Sequence, residues 1–97
     1  MSYRDLGPLN VIREYSVAAT PAAVAANTTA ARDITVTGVA TTDTLFSVVK
    51  PTAQAGLGIV GWRIKAANTV EVVFANATAV AITPTAAQVY KFLVGKF

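Results

Sequence analysis

The stretch Gly56–Ala81, GLGIVGWRIKAANTVEVVFANATAVA, constrains the fold of this chain more than any other. Apolar side chains recur at every second position, first at Val60, Trp62 and Ile64, then at Val70, Val72 and Phe74. Arg63, Lys65, Thr69 and Glu71 occupy the positions between. Successive side chains of a strand point to opposite faces, so each segment has one apolar and one polar face. A two-residue loop at Ala67–Asn68 sets Lys65 opposite Val70 and mixes those faces. A three-residue loop, Ala66-Ala67-Asn68, instead pairs Ile64 with Val70, Trp62 with Val72 and Val60 with Phe74. It also sets Arg63 opposite Glu71, a favourable cross-strand pair. Such a loop ends on a left-handed residue, and Asn68 is the best choice after glycine. The expected hairpin register therefore rests on Trp62, Arg63, Asn68 and Glu71.

The remaining punctuation extends the same pattern. Val11–Ala18 reads as a strand with Val11, Tyr15 and Val17 on one face. Thr20-Pro21 suits either a short helix, with Thr20 as cap, or a strand around Ala22–Ala26 followed by a loop at Asn27-Thr28-Thr29. The β character of the neighbouring segments favours the strand. Further strands are expected at Arg32–Thr37, closed by Gly38, at Leu45–Lys50, ended by Pro51, and at Val80–Thr83, stopped by Pro84. Gln88–Lys96 is the last, apolar on both faces, with Tyr90, Phe92 and Val94 on one and Val89, Leu93 and Phe97 on the other. Short strands with regular turn signals indicate an all-β fold. The specific expectation is an antiparallel β-sandwich or partly open barrel of seven to eight strands, with an extended N-terminal arm. Residues 1–16 form the arm and first strand, and 17–97 the sandwich domain.

Composition narrows the chemistry. Charged residues make up 13% of the 97 positions, about half the ordinary share of roughly 25%. A small domain has much surface for its volume. So few charges therefore suit a chain partly covered by neighbouring subunits, or a monomer with a Thr/Ala-rich surface. With no cysteine and no histidine, thiolate chemistry, disulfides and the commonest general base and metal ligand are missing. Ser2, Ser16 and Ser47 have no base partner nearby in sequence. Asp33 and Asp43 read as a strand-end residue and a turn-organising residue rather than as a catalytic pair, and there is no acidic cluster for calcium. No catalytic residue, cofactor or metal is expected. Trp62 points away from Arg63 and Lys65, which argues against a nucleic-acid platform of stacking and phosphate contacts. It turns Trp62 toward the core or a subunit interface. GLGIVG lacks the helix and Lys-Ser/Thr of a phosphate loop. The uncharged windows contain Pro, Asn and Thr and lack the sustained apolar run of a bilayer span. MSYRDLGPLN does not read as a signal peptide, so a soluble, cytoplasmically made chain with no membrane contact is expected.

Several elements together resemble the small β-sandwich virion proteins of tailed bacteriophages, notably head decoration or cement proteins. They are Val24-Ala25-Ala26-Asn27-Thr28-Thr29-Ala30, Ile34-Thr35-Val36-Thr37-Gly38-Val39 followed by Asp43, Ala55-Gly56-Leu57, Ala66-Ala67-Asn68-Thr69-Val70, Asn76-Ala77-Thr78 before Ile82-Thr83-Pro84, and Val89-Tyr90-Lys91-Phe92. They lie between about Val17 and the last residue. The resemblance implies a non-enzymatic protein on the outer surface of the head, contacting the major capsid protein and its own copies as a homotrimer. The arm residues Tyr3, Arg4, Asp5 and Leu6 are candidates for capsid or subunit contact, unless the terminus is simply frayed. Val89, Lys91, Leu93 and Phe97 on the doubly apolar last strand are the other candidates, unless both faces are covered within the sandwich. A tail, baseplate or fibre module and a carbohydrate-binding sandwich are the alternative readings.

Overall fold

The computed structural model describes residues 11–96, and the arm candidates Tyr3, Arg4, Asp5 and Leu6, together with Phe97, lie outside that range. The described residues form an all-β fold without helix. Its six strands are β1 (Val11–Ala19), β2 (Thr28–Thr35), β3 (Thr44–Val49), β4 (Leu57–Ala66), β5 (Thr69–Asn76) and β6 (Gln88–Lys96). They pair into two antiparallel sheets of order β1-β6-β3 and β2-β5-β4. The arrangement is consistent with a β-sandwich.

Alternation on the two central strands builds the core. Val70, Val72 and Phe74 of β5 and Tyr90, Phe92 and Val94 of β6 are all fully buried. Ile34, Val36, Val39 and Val48 pack with them from the flanking strands and the β2–β3 loop. Each central strand thus directs three large side chains inward, and the edge strands close around them. β3 and β4 meet along one side of the molecule.

The hairpin between β4 and β5 follows the expected register near its tip. Ile64 lies opposite Val70, Arg63 opposite Glu71 and Trp62 opposite Val72. Asn68 takes φ of 62° and closes the turn. Two details differ. Ala66 pairs with Thr69, and the register shifts at Lys65, so the extra residue of the turn sits within the strand. Further on, a bulge between Ile59 and Gly61 makes Ile59, not Val60, the partner of Phe74. Val60 is left 63% exposed. Two adjacent apolar residues, Ile59 and Val60, let either one face inward, and the bulge selects the first.

The strand count is six rather than seven or eight because two expected strands are reduced to one bridge. Val24 and Ile82 exchange backbone hydrogen bonds of 2.8 and 3.0 Å. Neither the residues around Val24 nor those around Ile82 extend into a ladder. Pro21 and Pro84, which lack an N–H, flank this bridge. Asn27 turns the chain with φ of 54°, and Thr28 and Thr29, expected in a loop, open β2 instead.

Asn76, at the end of β5, ties these segments together. It is 2% exposed. Its amide donates to the carbonyls of Val24 (3.0 Å) and Val80 (2.8 Å), while its Oδ1 accepts from the backbone N–H (2.9 Å) and hydroxyl (2.7 Å) of Thr78. Beside it, Gly56 has φ of 80°, and a Cβ there would come within 2.2 Å of the Thr78 methyl. Only glycine fits that approach. Replacing Asn76 by Ala removes donors from two carbonyls and is expected to cost about 2–3 kcal/mol. Asn76→Asp, though nearly isosteric, should cost more, because it turns a donor into an acceptor facing the same carbonyls. Urea midpoints at unchanged m-value check both; an aspartate variant as stable as wild type contradicts the assignment.

Candidate interaction surface

The same alternation that fills the core leaves two outer faces, and they differ sharply. On β2-β5-β4, Asp33, Glu71 and Arg63 stand in one cross-strand row. Arg63 Nε donates to Glu71 Oε1 at 3.1 Å, and Lys65 Nζ donates to Asp33 Oδ2 at 3.0 Å. Around these four lie small residues: Thr29, Ala31, Thr35, Thr69 and Ala75, with Gly58 and Gly61 opposite Ala75 and Val73. The charges satisfy one another at the surface, where solvent screening leaves such pairs little weight in stability. Arg63 and Glu71 act as register partners, as expected. The Lys65–Asp33 pair joins strands remote in sequence and is invisible to local pattern.

The outer face of β1-β6-β3 is apolar. Val89, Lys91 and Leu93 of β6 alternate with the buried triplet and point the other way. From β1, Ile12, Glu14, Ser16 and Ala18 stand opposite Gly95, Leu93, Lys91 and Val89. From β3, Ser47 and Val49 stand opposite Leu93 and Lys91. Ile12, Val49 and Val89 are each about half exposed, and Leu93 is 37% exposed. The only charges in these paired positions are Glu14 and Lys91, both 56% exposed, with their nearest N and O atoms 4.0 Å apart. The second apolar face of β6 is therefore not covered by the described residues.

Trp62 shares the inward face of Val72 but remains 40% exposed, because β4 is an edge strand of ten residues facing a β3 of six. Phe46, at the bulge of β3 between Leu45 and Ser47, is similarly exposed. Among the described residues neither outer face carries an aromatic residue at a paired position.

Two polar sites turn out to hold structure together. Lys96 Nζ lies 2.6 Å from Asp43 Oδ2 and 2.8 Å from the Gly38 carbonyl, and Ala40 N–H donates to the same carboxylate oxygen at 2.9 Å. This clasp fixes the β2–β3 loop to the end of β6. Asp33 and Asp43 are thus engaged by different lysines. A cleft of about 290 Å³ is lined by Lys50, Thr52, Gln54, Leu57, Ile59 and Phe74, among others. Its polar groups are already committed: the Gln54 amide bridges the Thr83 carbonyl (3.0 Å) and the Thr85 N–H (2.9 Å), and Lys50 donates to the Thr52 carbonyl. Burial pushes the Lys50 ammonium below its ordinary pKa. Among the described residues no group of three His, Cys, Asp or Glu side chains is placed to hold a metal ion. No helix of the described chain is long and apolar enough to cross a membrane. No family model matches the chain, and no curated protein or solved structure matches it either.

The Asp43 clasp has a definite pH signature. Burial acts to raise the Asp43 carboxyl, but the Lys96 ammonium and the Ala40 N–H outweigh it and hold the pKa below its ordinary value. The hydrogen bond to Asp43 raises Lys96 above its own ordinary value. The stability from Asp43 is therefore present above the unfolded carboxylate pKa of about 3.9 and is lost as pH falls through the lower folded value. That from Lys96 is complete below about 10.4 and is lost as pH rises through its folded value. Asp43→Asn should cost about 1–2 kcal/mol at pH 7. Denaturation midpoints measured from pH 7 down to pH 2 should show wild type and variant converging below about pH 4. A gap that stays constant to pH 2 contradicts the clasp.

Proposed function

We propose that this chain is a structural protein of a tailed-bacteriophage virion, a decoration or cement subunit bound to the outer surface of the head. It works without chemistry, by non-covalent contacts with the major capsid protein and with other copies of itself, clustered as trimers at the three-fold positions of the shell. The observation that carries this reading is the apolar outer face of β1-β6-β3, where Ile12, Val49, Val89 and Leu93 stand half exposed around one acid and one base. Large apolar side chains exposed on all three strands, interleaved with small polar residues, suit protein contact rather than solvent. The low charge content points the same way, because a subunit covered by neighbours has less need of a charged surface. The resemblance in turn and strand signals from Val24-Ala25-Ala26-Asn27 to Val89-Tyr90-Lys91-Phe92 supplies the kind of assembly. Many copies acting together on one shell make weak individual contacts sufficient.

Purified protein mixed with expanded, undecorated heads of the encoding phage tests the proposal. Sedimentation of the heads should carry down a fixed, saturating number of copies, and the decorated shell should melt at a higher temperature than the bare one. Leu93→Glu, at an exposed position that leaves the core intact, should weaken attachment to the heads. Wild-type protein that neither pellets with the heads nor shifts their melting temperature contradicts the reading.

A further inference from the structure

We infer that the outer face of β1-β6-β3 is self-complementary and packs against the same face of a second copy about a two-fold axis. This rests on the layout of the face and not on the virion reading. Neighbouring strands stand about 4.8 Å apart and alternate residues of one strand about 6.8 Å apart, which places the outward side chains on a known grid. Its rows are Ile12–Gly95–Thr44, Glu14–Leu93–Ser47 and Ser16–Lys91–Val49. Glu14 and Lys91 lie diagonally across two strands, and their side chains reach only 4.0 Å. Among the described residues neither makes a closer polar contact through its side chain.

A two-fold axis lying between two stacked sheets acts on this grid as a mirror line. The line that exchanges Glu14 with the second copy's Lys91 has further consequences that were not put into it. It passes close to Leu93 and Ser16, so each meets its own copy. It also carries Ile12 onto the second copy's Val49. One operation therefore makes two reciprocal ion pairs, a central Leu93–Leu93 contact and two Ile12–Val49 contacts, and leaves no like charges facing. An isologous interface requires this reciprocity, in which residue i meets j and j meets i. A partner of unrelated sequence would have to supply its own acid and base at the same diagonal spacing. The face net charge of zero, one acid against one base, makes a second copy the occupant that needs nothing added.

The contact is small. Three strands by roughly 30 Å of strand length offer on the order of 500 Å² per copy, below the 800 Å² or so of a standard interface. Association in free solution is therefore weak. On a surface that gathers many copies, the same contact would link one cluster to the next.

Sedimentation velocity of the purified protein up to about 1 mM should show a monomer–dimer equilibrium. E14K and K91E each place like charges across the axis, and each should weaken dimerisation about tenfold. Both positions are half exposed, so circular dichroism melts should show that the variants fold. The decisive arm is an equimolar mixture of E14K and K91E. Only across the two-fold does the mixture bring opposite charges together; within each copy the pair stays like-charged. Dimer recovered in the mixture, as a heterodimer within about threefold of wild-type affinity, supports the inference. A monomer at every concentration, a mixture that stays dissociated, or a wild-type oligomer unchanged by L93E overturns it. Loss of binding to heads by L93E in a chain that is monomeric throughout would assign the face to the capsid instead.

Discussion

Everything in this fold depends on the meeting of two short triplets, Val70-Val72-Phe74 and Tyr90-Phe92-Val94, carried by the central strand of each sheet. Because these residues must face each other, the residues between them must face outward. The core thus dictates the surface. On β5 the outward positions are Glu71, Val73 and Ala75, and on β6 they are Val89, Lys91 and Leu93. A one-residue slip in either strand would exchange core and surface completely, so register is the constraint that the ends of the molecule are built to protect. At one end Asn76 joins β5 to the segments around Val24 and Val80, and at the other the Asp43–Lys96 clasp anchors β6. The same end is tied to the hairpin tip, where Gly38 N–H donates to the Asn68 side chain at 2.8 Å.

Local alternation was enough to read the hairpin from Trp62 to Val72, including the left-handed Asn68 and the Arg63–Glu71 pair, because each of those features is decided by residues a few positions apart. It was not enough at Ile59-Val60, where two apolar neighbours fit the core equally well and the bulge depends on how β4 must bend. Alanine-rich Ala22–Ala26 carries no face preference, so its reduction to a single bridge at Val24 left no trace in the pattern. The doubly apolar pattern of β6 is visible in the sequence: its inner face is buried in the core, and its outer face is left uncovered by the described residues. Asn76 carries no local signal of its buried role. Its burial comes from backbone 52 residues away in the chain, which no window along the sequence contains. The Asp43–Lys96 and Asp33–Lys65 pairs were hidden for the same reason.

The contrast between the two outer faces links packing to function. On the β2-β5-β4 face the four charges are paired and most side chains are small, with Val60 at the β4 bulge its one large exposed apolar residue among the paired strands. The β1-β6-β3 face is unfinished, with apolar side chains exposed on all three strands. The cleft beside Gln54 spends its polar groups on holding loops. On the proposed reading, the β1-β6-β3 face is the side through which the protein makes its contacts.

That central claim is tested most directly by asking which side is covered when the protein is at work. The chain has no cysteine, so single cysteines report cleanly. Val49→Cys, on the apolar face, and Ala31→Cys, on the charged face, can each be labelled with a maleimide in the dilute free protein and again in the assembled state. The account predicts that assembly slows labelling at position 49 at least about tenfold and leaves position 31 unchanged. Equal rates at both positions, or protection confined to position 31, would contradict it.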